Sequence, residues 1–355
     1  MKKVRVVVVD DSALMRGVLT QLINASEEAE VVGSAADANV ARDVIRTLNP
    51  DVITLDVQMP GMNGLDFLER LMRLRPMPVV MVSAFTAAGS ETTLRALELG
   101  AFDFIGKPRL SDEAGAGEYA AELVEKITAA AQSKSRRMPA EKPAIKPVSS
   151  ARPTSSGRPM IGGGGSGKII FLGASTGGTE AIKVFLEGIP ADCPPILVVQ
   201  HMPEMFTASF AKRLDSLSAP NVIESQGGEP LKAGTVYIAP GHSHLQIRKA
   251  ASGYVTELLQ TPPVNRHRPS VDVLFDSAAA LVGKNALGVL LTGMGKDGAE
   301  GLLKMRTAGA KTFAQDEESC VVFGMPREAI LRGGADEVVS LSKMAGRVMS
   351  ALGEK

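Results

Sequence analysis

A serine in a glycine-rich turn is the first residue of this sequence that could act as a nucleophile. The segment Gly173-Ala174-Ser175-Thr176-Gly177 matches the pattern G-x-S-x-G and joins an apolar run to a segment with helical character. In this pattern, a sharp turn between strand and helix exposes the hydroxyl and directs backbone N–H groups towards a bound carbonyl. Because a serine hydroxyl is nucleophilic only beside a base, the sequence must also supply a histidine.

The chain contains four histidines, of which one is well placed to act as that base. His201 directly follows the apolar run Ile196–Gln200, so we expect it at the same sheet edge as Ser175. The others lie in a later glycine-containing turn or in an arginine-rich loop: His242, His244 and His267. His201 is therefore the predicted general base.

A third member of a catalytic triad would be a carboxylate beyond another strand. Asp297 lies in the glycine-rich segment Thr292–Gly298, after a further apolar run, and could hold the imidazole in the required tautomer. The chain order Ser, His, Asp differs from the Ser, Asp, His order of α/β-hydrolases. Purely structural roles remain open for each residue, since the serine motif is short, its glycines suit a phosphate-binding turn, and strand ends and helix caps also use His and Asp.

The first third of the chain carries a second group of chemically capable residues. Asp10 and Asp11 follow one predicted strand and Asp56 follows another, so a parallel sheet would gather the three carboxylates at one edge. Clustered carboxylates repel one another and form an oxygen-rich site of the kind that binds Mg²⁺. Ser83 and Lys107 end two more strands and could contact a phosphoryl group on Asp56. Helix or loop capping is the alternative for single residues.

The elements that must position these residues alternate between strand and helix along the chain. Short β-branched runs separated by segments of helical period predict a parallel sheet covered on both faces, of flavodoxin-like doubly wound type. In the first part the predicted strands are Val4–Val9, Val31–Gly33, Val52–Leu55, Val79–Val82 and Phe102–Ile105. The second part has predicted strands at Ile169–Gly173, Ile196–Gln200, Val236–Ala239, Leu287–Leu291 and Val338–Ser340, with a β-hairpin at Leu245–Arg248 and Tyr254–Leu258.

A segment rich in proline, serine and basic residues separates the two parts and ends in a run of glycines. Such a segment buries too little apolar surface to offset its ordering entropy, so we predict a linker. The predicted organisation is one domain over residues 1–127, a flexible linker over 128–166 and a second domain over 167–355.

Composition excludes several broad classes of protein. The 39 basic and 39 acidic residues balance, and there is no tryptophan, which disfavours nucleic acid as a partner. Two cysteines suit a reducing compartment better than a secreted disulfide scaffold. We find neither a signal peptide nor an apolar run of the ~18 residues needed to span a membrane, so we expect a cytoplasmic protein without membrane insertion.

The first part resembles the receiver domain of bacterial response regulators. The resemblance rests on Val8-Val9-Asp10-Asp11-Ser12, Leu55-Asp56-Val57-Gln58-Met59-Pro60, Val82-Ser83-Ala84 and Lys107-Pro108. It implies that Asp56 accepts a phosphoryl group, that Asp10, Asp11 and Asp56 bind Mg²⁺, and that Ser83, Phe104 and Lys107 respond to phosphorylation. It further implies a cis peptide bond between Lys107 and Pro108. Many receivers of this type carry Glu where Gln58 stands.

The second part resembles the chemotaxis protein-glutamate methylesterases. The matching segments are Ser175-Thr176-Gly177-Gly178, Gln200-His201-Met202-Pro203, Arg268-Pro269-Ser270-Val271-Asp272, Thr292–Gly298, and Gln315-Asp316-Glu317 through Gly324-Met325-Pro326-Arg327. The resemblance implies hydrolysis of glutamyl methyl esters on chemoreceptors, and deamidation of receptor glutamines, by Ser175, His201 and Asp297. Backbone N–H groups of Thr176 and Met294 would bind the oxyanion.

This resemblance also carries expectations about cofactors, partners and control. We expect Mg²⁺ in the first domain and no cofactor in the second, where no His, Cys and carboxylate cluster has metal-ligand spacing. The implied partners are methyl-accepting chemoreceptors as substrate and a chemotaxis histidine kinase as phosphodonor. We expect the unphosphorylated first domain to obstruct Ser175 and phosphorylation to open the site. The alternatives are a response regulator with a DNA-binding output or one with a non-catalytic interaction domain.

Overall fold

A computed structural model describes residues 2–59, 62–83, 87–108, 116–133 and 167–353 of the chain. These residues form two α/β units, one before and one after the segment predicted as a linker. Of that segment, residues 128–133 continue the last helix of the first unit, and residues 134–166 lie outside the described part of the chain.

The first unit contains five strands and five helices in strict alternation. The strands are β1 (Val4–Val9), β2 (Ala29–Ala35), β3 (Val52–Asp56), β4 (Val79–Ser83) and β5 (Asp103–Gly106). The helices are α1 (Ala13–Asn24), α2 (Ala38–Leu48), α3 (Gly64–Leu74), α4 (Ala87–Glu98) and α5 (Ala116–Ser133). The strands pair in parallel in the order β2-β1-β3-β4-β5, which is the flavodoxin-like order and confirms the predicted fold class.

The second unit is larger and again alternates strands with helices. Its strands are β6 (Ile169–Ala174), β7 (Ile196–Gln200), β8 (Asn221–Glu224), β9 (Thr235–Ile238), β10 (His244–Ala250), β11 (Gly253–Leu259), β12 (Ala286–Leu290), β13 (Lys311–Gln315) and β14 (Glu337–Val339). Its helices are α6 (Gly178–Glu187), α7 (Glu204–Leu217), α8 (Val271–Leu281), α9 (Ala299–Thr307), α10 (Met325–Leu331) and α11 (Leu341–Ala351), with a 3-10 turn at Gly283–Asn285.

Seven of these strands form one parallel sheet in the order β14-β13-β12-β6-β7-β9-β8. The central strands β12, β6 and β7 are buried along their whole length, because helices cover both faces of the sheet. Strands β10 and β11 form the predicted hairpin, which is a separate two-stranded antiparallel sheet.

Two strands of the large sheet were missed in the sequence. Strand β8 has four residues, and β13 carries buried polar residues whose side chains form hydrogen bonds within the protein, so neither shows an apolar run.

The expected cis bond at Lys107–Pro108 was wrong: among the described residues the cis peptide bond lies between Arg268 and Pro269. An X–Pro bond prefers trans by only about 0.5–1 kcal/mol, so local sequence does not decide the isomer.

The strand orders place one crevice at the carboxyl edge of each sheet. In the first sheet, successive strands are added on opposite sides of the gap between β1 and β3. In the second sheet, the same change of side occurs between β6 and β12. Ligands of open parallel sheets bind at such switch points, because the loops on either side diverge and leave a cleft. Asp10 follows β1 and Asp56 is the last residue of β3, while Ser175 follows β6. Among the described residues, no helix has the length and apolar character needed to cross a membrane.

Candidate active site and acidic pocket

The turn that carries Ser175 is fixed by glycines and by one buried amide side chain. Gly177 has a φ of 75° and begins α6, and a side chain at Gly178 would collide with the amide oxygen of Gln200. The Gln200 amide nitrogen donates to the carbonyl oxygens of Ser175 (3.0 Å) and His201 (3.1 Å). Gln200 therefore holds the turns after β6 and β7 together, and with them the two side chains that they carry.

The structure brings Ser175, His201 and Asp297 together in one line of contacts. The Ser175 Oγ lies 3.1 Å from Nδ1 of His201, and Nε2 of the same ring lies 2.8 Å from Oδ2 of Asp297. The His201 side chain is 8% exposed and that of Asp297 1% exposed, so water is largely excluded from both contacts. With Nε2–H donating to Asp297, Nδ1 is left as the acceptor for the serine hydroxyl.

The Asp297 carboxylate also accepts hydrogen bonds from the start of helix α8. It accepts from the Ser270 hydroxyl (2.7 Å), from the backbone N–H of Val271 (2.6 Å) and Asp272 (3.3 Å), and from the Asn265 amide (2.8 Å). Ser270 is the N-cap residue of α8 but makes no side-chain cap, so Asp297 caps the helix in its place. The positive end of the helix dipole therefore favours the ionised carboxylate.

Two neighbouring carboxyl groups have pKa values displaced in opposite directions. Burial alone would raise the pKa of Asp297, but the hydrogen bonds from His201, Asn265 and Ser270 outweigh it and hold that pKa well below its usual value. Burial raises the pKa of Asp272 to about 6, and the nearby Asp297 charge acts in the same direction. The carboxylate that contacts His201 is therefore the more acidic of the two and stays ionised as pH falls.

The backbone around Ser175 leaves two N–H groups available for an oxyanion. The N–H of Ser175 itself donates to the Thr292 carbonyl oxygen (3.0 Å). Within the described part of the chain, the N–H groups of Thr176 and Met294 donate to no protein acceptor. The Thr292 hydroxyl donates to the carbonyl oxygen of Thr176 (3.0 Å), which ties the two turns together. The two predicted oxyanion donors thus lie on linked turns beside the serine.

The acidic pocket of the first unit is assembled around one lysine. The Nζ of Lys107 lies 2.8 Å from Oδ2 of Asp10 and 2.7 Å from Oδ2 of Asp56, and both carboxylates are almost fully buried. Burial raises the pKa of Asp56 despite the hydrogen bond from Lys107. Burial opposes the charge of Lys107, but its contacts with Asp10 and Asp56 outweigh this effect and raise the lysine pKa.

The oxygen donors of this pocket fit a hard divalent cation. One carboxylate oxygen from each of Asp10, Asp11 and Asp56 lies within 4.8 Å of the others. The buried Oδ2 of Asp10 has no hydrogen-bond partner among the described residues, and its close contact is the ion pair with Lys107. Receiver domains bind Mg²⁺ at an acidic site of this kind, and carboxylate oxygens are the ligands that this ion prefers.

The remaining predicted residues of the first unit lie on the strands beside this pocket. Ser83 ends β4 and is buried, next to Asp56 at the end of β3. Phe104, in β5, is also buried, and its ring packs against that of Phe206 in α7 at a centroid distance of 4.6 Å. The predicted switch aromatic is therefore in contact with the second unit.

The two units also meet through polar contacts directly beside the nucleophile. The Thr176 hydroxyl donates to Oδ2 of Asp103 in β5 at 2.8 Å, and the same oxygen lies 2.9 Å from Nζ of Lys126 in α5. Glu98 at the end of α4 forms an ion pair with Arg213 of α7. The face of the first unit made by α4, β5 and α5 therefore covers the sheet edge that carries Ser175.

The sequence predicted no function for several residues that support the triad. Asn265 bonds Asp297 and Asp272, Ser270 bonds Asp297, Gln200 fixes the two turns, and the ring of His267 stacks on that of His201. Most of them fall in or beside segments that carry the family resemblance, but nothing in their local pattern predicts a contact with the triad.

Both units are similar to known proteins. A family model described as CheB methylesterase matches residues 170–348, and one described as response regulator receiver domain matches residues 6–114. A protein-glutamate methylesterase/protein-glutamine glutaminase of Dechloromonas aromatica is 67% identical over 350 residues, which is 99% of each chain. A relative with the same description from Methylobacillus flagellatus is 57% identical over 98% of this chain and 97% of its own length. The crystal structure of the Thermotoga maritima CheB methylesterase catalytic domain aligns with a TM-score of 0.51 and 41% identity, and covers 53% of this chain and 98% of that one.

Proposed function

This chain belongs to the CheB methylesterase family, and from that membership we propose that it is a phosphorylation-regulated protein-glutamate methylesterase and protein-glutamine glutaminase. The substrates are glutamyl methyl esters and glutamines of chemoreceptors. The observation that carries the proposal is the line of contacts from Ser175 Oγ through the His201 ring to Asp297, at 3.1 and 2.8 Å.

The proposed reaction begins with proton transfer from Ser175 to Nδ1 of His201 as the serine oxygen attacks the glutamyl carbonyl carbon. Asp297 stabilises the imidazolium that forms, because its carboxylate accepts the Nε2–H. The negative charge on the former carbonyl oxygen is bound by the N–H groups of Thr176 and Met294. His201 then gives its proton to the methoxide oxygen, and methanol leaves.

The acyl-enzyme that remains is hydrolysed by the same groups in reverse roles. His201 takes a proton from water, the hydroxide attacks the acyl carbon, and the proton returns to Ser175 as the glutamate carboxylate is released. A glutamine substrate gives the same acyl-enzyme, with ammonia in place of methanol as the leaving group. One site therefore supports both activities without a change of machinery.

In the first unit, we propose that Asp56 is the phospho-acceptor and that Asp10, Asp11 and Asp56 hold Mg²⁺. The metal would supply charge neutralisation at the acceptor. Ser83 and Lys107 would bond the phosphoryl oxygens, since both side chains stand at strand ends next to Asp56. A chemotaxis histidine kinase is the proposed phosphodonor.

The interface between the two units supports a gate. In the arrangement described, the contact of Asp103 with Thr176 and the packing of Phe104 on Phe206 hold the first unit against the turn that carries Ser175. Phosphorylation of Asp56 would rearrange Ser83 and Phe104 and shift the population towards an open form. The proposed domains are residues 1–127 and 167–355, with residues 128–166 as the proposed linker between them.

The proposed location is the cytoplasm, where receptor methylation and kinase phosphorylation would both be accessible. Cys193 and Cys320 are buried and are not joined in a disulfide, which fits a reducing compartment. No contact with nucleic acid and no membrane insertion are part of the proposal.

The test is release of methanol from methylated receptor by the full-length protein, with and without a small-molecule phosphodonor and Mg²⁺. We expect release that rises with phosphodonor, and a turnover about 10⁴–10⁶-fold lower for Ser175→Ala, because the triad acts as a unit. Asp43→Ala, an exposed change on α2, serves as a control. A folded Ser175→Ala protein with substantial activity would overturn the assignment. No release from wild-type protein with competent substrate would favour the non-catalytic interaction domain.

A further inference from the structure

The imidazole of His201 has a third neighbour besides Ser175 and Asp297. The ring of His267 lies over its face, with the ring centroids 3.6 Å apart and the planes inclined by 17°. The two hydrogen bonds of His201 lie in its ring plane and fix the direction of the nitrogens. They leave the ring free to rock out of that plane, and the parallel His267 ring blocks this motion on one side.

We propose that His267 is a positioning residue for the catalytic base: its flat ring holds His201 in line between Ser175 and Asp297 and provides a π face for the imidazolium formed during attack. It acts through His201 and not on the substrate. The inference rests on the proposed function only in that His201 is taken as the base.

The backbone that presents His267 is shaped for this purpose. The backbone N–H of His267 donates to the Val264 carbonyl oxygen (2.9 Å), and the N–H of Val264 donates back (3.0 Å). Between them, Asn265 and Arg266 have φ values of 52° and 68°, the arrangement of a type I′ turn. An arginine in the left-handed region is uncommon and costs conformational energy, so the surrounding contacts must hold the turn in place.

The side chain of Asn265 provides that anchorage. Its amide nitrogen donates to Oδ1 of Asp297 (2.8 Å) and to Oδ2 of Asp272 (2.6 Å). One turn therefore contacts the triad twice: the Asn265 amide bonds Asp297, and the His267 ring stacks on His201. A strained turn with two independent contacts to the catalytic groups indicates a selected geometry more than a chance packing.

The charge state of His267 is suited to stacking on a base that becomes positive. Burial lowers the pKa of His267 to about 3, and the proximity of His201 acts in the same direction. Besides His201, the charged groups that act on its pKa are Asp297, Arg266 and, from α5 of the first unit, Lys126. A neutral ring attracts the imidazolium of His201 through its π face, whereas a second cation would repel it.

The test compares two kinds of substitution in the full-length protein, measured with phosphodonor and Mg²⁺ present. His267→Ala removes the face, and His267→Phe keeps a flat ring without nitrogens. We expect kcat for methanol release to fall about 5- to 30-fold in His267→Ala, with KM within about twofold. His267→Phe should recover kcat to within about threefold of wild type, because the ring face and not its nitrogens is required. Val264→Ala, an exposed truncation on the same turn, is the control and should leave kcat unchanged.

Three results would overturn the proposal: His267→Ala with kcat near wild type, His267→Phe as impaired as His267→Ala, or a change confined to KM. Thermal melting monitors folding, and His267→Leu, which keeps bulk but lacks a flat face, replaces His267→Ala if the latter does not fold. The rate at which a fluorophosphonate labels Ser175 gives a second readout. We expect this labelling rate to be similar in wild type and His267→Phe and lower in His267→Ala. If wild-type protein labels but releases no methanol, the proposed function fails while the labelling rates still test the role of His267.

Discussion

The Thr176 hydroxyl, one residue from the nucleophile, donates a hydrogen bond to the buried carboxylate of Asp103 in the other domain. Lys126 neutralises that carboxylate at 2.9 Å. The contact joins the turn that carries Ser175 to β5, the strand of the proposed switch residue Phe104. A change in β5 on phosphorylation would therefore reach the active site directly.

We expect Asp103→Ala to raise methanol release by the unphosphorylated protein about tenfold, and to leave the phosphodonor-stimulated rate unchanged. A buried hydrogen bond to a charged group contributes about 1.5–3 kcal/mol, and its loss would shift the population towards the open form. Asp43→Ala, an exposed aspartate of the same domain, should behave as wild type. An unphosphorylated rate that stays low in Asp103→Ala would show that this contact does not hold the closed form.

Asp297→Asn should lower kcat about 10³–10⁴-fold, because an amide at this position can orient the imidazole in the wrong tautomer and cannot stabilise its positive form. Thermal stability should fall too, since the new NH₂ group would face donors at the start of α8. Asp276→Asn, an exposed change on the same helix, is the matched control for both measurements. Turnover within tenfold of wild type would remove Asp297 from the triad.

Chelation of divalent cations should abolish the response to phosphodonor and leave the basal rate of methanol release intact. In the proposed mechanism, phosphoryl transfer to Asp56 uses Mg²⁺ at the acidic pocket, whereas hydrolysis uses the side chains of Ser175, His201 and Asp297. Asp56→Asn should give the same pattern with Mg²⁺ present, and incorporation of phosphoryl label into the protein checks both. A basal rate that collapses on chelation would contradict the separation of the two sites.

His267 should make the stability of the protein depend on pH in a defined direction. Its pKa is lowered to about 3 in the folded protein, so between that value and the usual value of about 6.5 the unfolded chain binds more protons. The folded state therefore loses stability as pH falls through this window. Removing the titrating group should reduce that loss by about 1–2 kcal/mol at pH 5, allowing for partial exposure.

The measurement is the melting temperature of wild type and His267→Phe at pH 7.5 and pH 5. We expect the melting temperature of His267→Phe, relative to that of wild type, to be about 3–6 °C higher at pH 5 than at pH 7.5. Titrating groups that do not interact with His267 contribute equally to both proteins and cancel in the comparison. A difference that does not change with pH would mean that His267 is not buried as a neutral ring.

The positions of the triad could be predicted because parallel strands bring their carboxyl ends to one edge. His201 and Asp297 are 96 residues apart, yet each follows a buried strand close to β6, and the apolar runs of those strands are plain in the sequence. The same reasoning located Asp10, Asp56 and Lys107. Where strands carry polar residues, as Thr312 and Gln315 do in β13, the apolar pattern disappears and the strand was missed.

The residues behind the triad could not be predicted on the same basis. His267 and Asn265 lie on a loop, and their position depends on a turn with positive φ at an arginine, which no propensity rule assigns. The contact of Thr176 with Asp103 joins two domains, and sequence patterns report on each domain alone. These contacts could not be predicted because they depend on long-range packing and not on the local sequence pattern.

The capping of α8 by Asp297 has a consequence for how the enzyme becomes active as it folds. During synthesis, residues 271–281 emerge before the carboxylate that completes their first turn, so that turn stays frayed until the loop after β12 has formed. The late contact that completes this helix also aligns the imidazole with the serine. A partly folded chain would therefore carry its nucleophile in an idle form, and hydrolytic capacity would arise only once β12 has paired with β6 and its following loop has reached α8.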